Sequence, residues 1–195
     1  KTFCKIIIMR IIIATGNNDK FAEISNVLNE FGIASTAVNV STAEHGSTLE
    51  AVVVNKARQA FFKIKKPLIV DDTGIYFTAL KNFPGVESKR IFQRIGYEGL
   101  FQRIAGKNRD AMFRTLICYI NGKTIKMFDG ILKGIITEKV YEGGGEDMPY
   151  DRIFIPEGFD KPFCYFSIEE KNKLSHRAKA VRKFAEFFIS VNSTT

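Results

Sequence analysis

The stretch Ile6-Ile7-Ile8-Met9-Arg10-Ile11-Ile12-Ile13-Ala14 is apolar at every position but Arg10 and runs directly into Thr15-Gly16-Asn17-Asn18-Asp19-Lys20. Beyond that loop, Phe21, Ile24, Val27, Leu28 and Phe31 recur at helical spacing, and Gly32 supplies a stop. The apolar run is too short for a membrane span and leads straight into a polar turn, so it reads as a buried strand and not as a signal peptide. The spacing predicts a strand to Ala14 and a helix over 19–31, with Asn18 as its N-cap. A buried strand feeding an amphipathic helix commits the chain to an α/β architecture. Residues 1–8 read as an extension ahead of a start at Met9.

The rest of the chain extends this pattern. Residues 33–40 read as a second strand. A longer helix is expected over 48–64, with Leu49, Val52, Val53, Ala57, Ala60, Phe61 and Ile64 as its apolar stripe. Pro67-Leu68-Ile69-Val70 reads as a short buried strand that ends in Asp71-Asp72-Thr73-Gly74, followed by strand-like Ile75-Tyr76-Phe77. A helix is expected over 97–105. Residues 111–120 and 123–141 alternate as strands around an Asn121-Gly122 hairpin turn. A glycine-rich loop, Gly143-Gly144-Gly145, precedes Pro149-Tyr150-Asp151, and a last helix is expected from Ser175. Helices and strands alternate early and strands cluster late, which predicts a mixed sheet flanked by helices. No repeat or linker divides the 195 residues, so a single unit is expected.

Four groups of residues carry chemistry. The loop Thr15-Gly16-Asn17-Asn18 and Lys20 sit where a strand meets a helix N-terminus. Unpaired N–H groups and the helix dipole make an anion site there, and Gly16 permits close backbone approach. The pattern is not a Walker A loop, and its bland alternative is a capped βα turn. Asp71-Asp72, expected at a strand end, suit a hard cation such as Mg²⁺ or the activation of a water, against the alternative of a solvated turn. As neighbours on a strand they face opposite ways and need not share a role. Lys56 lies inside an apolar stripe, so its ammonium either snorkels to water or meets an anion. His176 and Arg177 fall in a first helical turn, where cations oppose the dipole. They either read a base edge or phosphate, or belong to a basic solvated face with Lys179, Arg182 and Lys183.

The chain has 29 Lys and Arg against 21 Asp and Glu, a formal charge of +8. That surplus points to an anionic partner without choosing among nucleotide, nucleic acid and acidic membrane. Cys4, Cys118 and Cys164 are widely spaced and odd in number, which fits reduced thiols in a cytoplasmic protein better than a disulfide framework or a zinc site.

Five segments occur together in one order: ATGNNDKFAEI (14–24), TLEAVVVNKA (48–57), IVDDTGIYFTALKNFPGVESK (69–89), GGGEDMPYDRIFIPEG (143–158) and EEKNKLSHRAKA (169–180). In these the chain resembles the inosine triphosphate pyrophosphatases, from about Met9 to the last helix. The resemblance implies an elongated mixed α/β fold of two lobes around a central cleft, and a homodimer. It also implies Mg²⁺-dependent hydrolysis of aberrant purine nucleoside triphosphates (ITP, dITP, XTP) to the monophosphate and pyrophosphate. By the same resemblance Thr15, Gly16, Asn17, Asn18 and Lys20 grip the triphosphate, and Glu44 and Asp72 hold the metal. Asp72 is the proton acceptor, with Asp71 beside it. Thr73, Lys56 and Lys89 contact substrate, Tyr150 and Asp151 belong to the base-pocket loop, and Lys171, His176 and Arg177 bind the nucleotide, the His-Arg pair at the 6-keto edge.

The base-pocket loop departs from the family's Phe-Gly-Tyr/Trp-Asp-Pro. Here it reads Met148-Pro149-Tyr150-Asp151-Arg152. The first aromatic is lost, and Pro149 removes a backbone donor and fixes φ. This departure keeps a pyrophosphatase of different base preference, such as one acting on pyrimidine triphosphates, as an alternative. A second alternative, a non-catalytic basic nucleic-acid-binding module, has no use for the paired carboxylates. No membrane partner and no specific nucleic acid are expected.

Overall fold

A computed structural model describes residues 9–43, 46–145 and 147–192. Seven strands form one mixed sheet: β1 (Met9–Ala14), β2 (Ile33–Val38), β3 (Leu68–Phe77), β4 (Phe83–Gly85), β5 (Asp110–Ile120), β6 (Ile125–Ile136) and β7 (Phe154–Pro156). The main order is β2-β1-β3-β5-β6-β7, with β4 paired to β3 off this path. β1 runs parallel to β2 and β3; the other pairings are antiparallel. The helices are α1 (Asn18–Glu30), α2 (Leu49–Ile64), α3 (Ser88–Ile104), α4 (Ile168–Leu174) and α5 (His176–Asn192). None of the described helices is long and apolar enough to cross a membrane.

The two faces of the sheet are covered by different helices. Ile11, Ile13, Ile69 and Ile117 pack under α1 and α5, through Ile24, Val27, Leu28, Val181 and Phe184. Leu68, Val70, Leu116 and Cys118 pack under α2, through Leu49, Val53, Ala57 and Ala60. A third cluster, including Ile75, Phe77, Ile91, Leu100, Phe154 and Phe163, fills the end of the sheet beneath α3 and β7. Gly130 permits one close approach, because a Cβ there would fall 2.0 Å from the His176 carbonyl. That contact lets the start of α5 lie directly on β6.

Most of the expected elements form, with four differences. Asn17, not Asn18, caps α1: its backbone is extended and its side chain accepts from the Lys20 amide at 2.9 Å, while Asn18 is the first helical residue. β3 does not end at Asp71-Asp72. It is one ten-residue strand, because β5 pairs with it continuously from Leu68↔Ile120 to Phe77↔Ala111. α3 begins nine residues before the expected Tyr97 and is broken at Gly96, whose φ of 58° and ψ of −164° are not helical. β6 stops at Ile136, and its hairpin turn is closed by the Asn121 side chain accepting from Lys123 and Thr124 amides.

Candidate active site

The sheet parts along one edge of β3. β1 pairs with Leu68 and Ile69 only, and β4 with Ile75 to Phe77. Between them, residues 70–74 border β5 on one side and neither strand on the other. α1 leaves β1 on one face and α2 enters β3 from the other, so the carboxyl end of β1, beside the middle of β3, forms a topological switch point, where open α/β sheets place their ligands. The loop from Thr15 to Asn17 turns at this opening.

Asp71 shares the α1/α5 face with Ile69 and Thr73, and Asp72 shares the α2 face with Val70. Each therefore meets its own cations. Asp71 Oδ2 lies 2.9 Å from Lys20 Nζ and 3.4 Å from Arg177 Nε. Asp72 Oδ1 accepts from Lys56 Nζ at 3.1 Å. The network extends inward from there. Arg177 also pairs with Glu23 and donates to Thr73 Oγ1 at 3.3 Å, and Lys171 pairs with Asp151 at 2.6 Å and Glu23 at 3.6 Å. Lys20, Lys56, Lys171 and Arg177 thus stand against Glu23, Asp71, Asp72 and Asp151, four cations against four carboxylates.

The two adjacent aspartates are driven apart electrostatically. Burial would raise Asp71, but the charges of Lys20, Arg177 and Lys56 hold it well below the usual carboxylate range. For Asp72 burial wins over Lys56 and Lys20, and its pKa is raised. Such a split assigns roles within a carboxylate pair: one stays a fixed anion and the other exchanges protons more readily. Asp72 also fits a hard cation better, because its charge is under-compensated whereas that of Asp71 is already met by two partners.

The other expected residues fall as follows. Thr15 Oγ1 accepts from the Asn17 amide at 3.1 Å, and a Cβ on Gly16 would fall 2.8 Å from the Asn39 side chain, so the loop is tight. Thr73 also bonds Thr115 across the β3–β5 pair at 2.6 Å. Tyr150 and Asp151 lie buried in a 3-10 turn, Pro149–Ile153. Lys89 is exposed in the first turn of α3, outside the ion-pair network. Glu44 lies outside the described residues; Ala43 beside it is tied to Gln59 on α2. Lys179 and Lys183 are exposed, as a basic face requires, but His176 and Arg177 are each only 2% exposed and do not belong to that face. Glu23 and Asp19, whose carboxylate meets Gly145, were not among the expected site residues.

His176 stacks on Phe113 at 4.6 Å between ring centroids, and its Nδ1 has no hydrogen-bond partner among the described residues. Burial, with Arg177, Lys171 and Lys20 nearby, pushes its pKa well below the usual imidazole value. The ring is therefore neutral at physiological pH. In an NMR titration the His176 resonances should stay flat between about pH 6 and 8, where an ordinary histidine titrates. An inflection near the ordinary value would contradict this assignment.

Two depressions of about 530 and 520 Å³ lie along β6 near Lys133 and Phe159, and neither is lined by the paired carboxylates. The site is thus marked by its charges and topology, and neither depression belongs to it.

A model of the Ham1 family matches residues 11–187. The dITP/XTP pyrophosphatase of Saccharolobus solfataricus is 39% identical over 184 residues, covering 93% of this chain and 95% of that protein. The inosine triphosphate pyrophosphatase of Yarrowia lipolytica is 33% identical over 182 residues, covering 92% of this chain and 96% of that one. Among solved structures, the Ham1 protein of Staphylococcus aureus superposes with a TM-score of 0.77 at 25% identity, covering 93% of this chain and 99% of that chain. The family match over most of the chain and these relatives show that the chain belongs to the Ham1 family.

Proposed function

We propose that this protein is a nucleoside triphosphate pyrophosphatase that hydrolyses dITP, XTP and ITP to nucleoside monophosphate and pyrophosphate, with Mg²⁺ as cofactor. The observation that carries the reading is the pair Asp71-Asp72 at the β1/β3 switch point, on opposite faces of one strand and each held by its own lysine. Relatives named for dITP/XTP and inosine triphosphate hydrolysis support the substrate class. We also take the enzyme to act as a homodimer in the cytoplasm.

The chain's own residues divide the work. At the start of α1, where the Lys20 amide is already capped by Asn17, Thr15, Gly16, Asn17 and Asn18 form a cradle for phosphate oxygens. Lys20 and Lys56, now neutralised by Asp71 and Asp72, supply charge where it builds on the phosphates. Asp72 and Glu44 would hold Mg²⁺, which shields phosphate charge and acidifies a bound water. A cation held there would share the Asp72 carboxylate with Lys56, whose ammonium would then be available to the phosphates. Asp72 then orients the attacking water and takes its proton. Asp71 stays anionic and fixes Lys20 and Arg177. Lys89 reaches the substrate from α3. Lys171, Asp151, His176 and Arg177 form the nucleoside end, where a donor matched to a 6-keto group discriminates against the 6-amino group of adenine.

A substrate panel tests the reading. With Mg²⁺, the protein should convert dITP, XTP and ITP to monophosphate and pyrophosphate far faster than ATP, GTP, CTP or UTP. Release of orthophosphate, equal turnover of ATP, or preference for a pyrimidine triphosphate would overturn it.

A further inference from the structure

The loop that carries Asp151 into the charge network is held by α3 through two tyrosine hydroxyls. Tyr150 donates to the Ser88 carbonyl at 2.8 Å, and Tyr97 donates to the Pro149 carbonyl at 2.9 Å. The far end of the loop is tied elsewhere, by Asp151 Oδ2 accepting from Lys171 Nζ at 2.6 Å and by the Ile153 and Arg152 carbonyls accepting from the Thr137 and Tyr141 amides at 2.8 and 2.9 Å, so the two tyrosines hold its Pro149–Tyr150 start. Pro149 has no N–H, so its carbonyl is the one backbone group through which a hydrogen bond can hold it. Burial pushes the Tyr97 phenol up despite the nearby Arg152, so it remains a donor throughout the neutral range.

Tyr97 reaches Pro149 because α3 is broken. In an unbroken helix residues five apart lie about 140° apart around the axis and do not meet. Yet the rings of Phe92 and Tyr97 touch edge to face at 4.7 Å, and Phe92 in turn contacts Tyr150 at 5.7 Å. The break at Gly96, with φ of 58° and ψ of −164°, turns Tyr97 back towards Phe92 and the loop. That backbone conformation is essentially restricted to glycine.

We infer that Tyr97 is a positioning residue for base recognition: with Gly96 it forms a clamp that fixes Pro149 and hence the place of Tyr150 and Asp151. This rests on the pyrophosphatase reading above, in which Asp151 belongs to the nucleoside end. It also gives the Pro149 departure a physical role, since a proline carbonyl with a fixed φ offers the phenol a rigid acceptor.

Tyr97→Phe removes the hydroxyl and keeps the ring. The KM for XTP should rise about three- to tenfold, the span of one neutral hydrogen bond, with kcat within about twofold. The preference for XTP over GTP should fall by a similar factor. Hydrogen exchange at the Asp151 amide should quicken in the same variant, a readout that needs no substrate. Gly96→Ala, which keeps the Tyr97 hydroxyl but disfavours the backbone break that aims it at Pro149, should reproduce all three changes. Unchanged KM and selectivity would overturn the inference, whether exchange is unchanged or faster. A wild-type protein that fails to cleave XTP would sink the pyrophosphatase reading itself, a failure seen before any variant is made.

Discussion

Asp72→Asn should lower XTP turnover by about 10³-fold, within the span of a lost general base, and leave the melting temperature unchanged or higher. The expectation follows from the direction in which the site shifts this group. Burial raises the Asp72 pKa in spite of Lys56 and Lys20, so holding the carboxylate ionised at neutral pH costs the fold stability. A neutral amide of the same shape removes that cost and still accepts from Lys56. Asp71→Asn, one residue away, should do the opposite. Its carboxylate is held well below the usual range and meets both Lys20 and Arg177, so its loss strands two cations and lowers the melting temperature. Retention of activity within tenfold in Asp72→Asn, or the same fall in melting temperature for both variants, would remove the division of labour between them.

That division is only half visible in the amino-acid sequence. Adjacent aspartates suggest a site, and strand alternation says they face apart, but Asp-Asp-Thr-Gly looks like the end of a strand. Its continuation is set by β5, whose Asp110 to Ile120 lies more than thirty residues downstream. Lys56 stands out because an ammonium inside an apolar stripe demands a partner, and Asp72 is that partner. Glu23 carried the same signal, one residue before Ile24 on the buried side of α1, and a charge at that position asks for a cation. Its cation, Arg177, is 154 residues away. Local periodicity sets α1, α2 and the β5–β6 hairpin, whereas the ion pairs join segments that no window of sequence contains. The basic surplus is likewise not stored at the site, where charges balance four against four. It lies on the surrounding surface, at residues such as Lys89, Lys179 and Lys183, where it can draw an anionic substrate inward.

Arg177→Met should be the most damaging single change to the fold. The guanidinium is almost fully buried and is shared by Glu23, Asp71 and Thr73. Methionine keeps the apolar stem but leaves two buried carboxylates short of a cation, which costs about 3–5 kcal/mol, on the order of 10 °C in a chain of this size. Removing an exposed pair such as Lys183 with Asp129, at 2.8 Å, should cost less than about 1 kcal/mol. The pH dependence supplies the mechanism's signature. Because the folded pKa of Asp71 is depressed, its contribution to stability is present above the ordinary carboxylate value and disappears as pH falls through the folded one. Without Arg177 that depression shrinks, so acid unfolding should begin at higher pH. Adding Asp71→Asn to Arg177→Met should recover part of the lost stability, because it removes one of the two stranded charges. Strict additivity of the two substitutions, or a melting temperature in Arg177→Met within about 2 °C of wild type, would show that the buried network does not hold the start of α5 against the sheet.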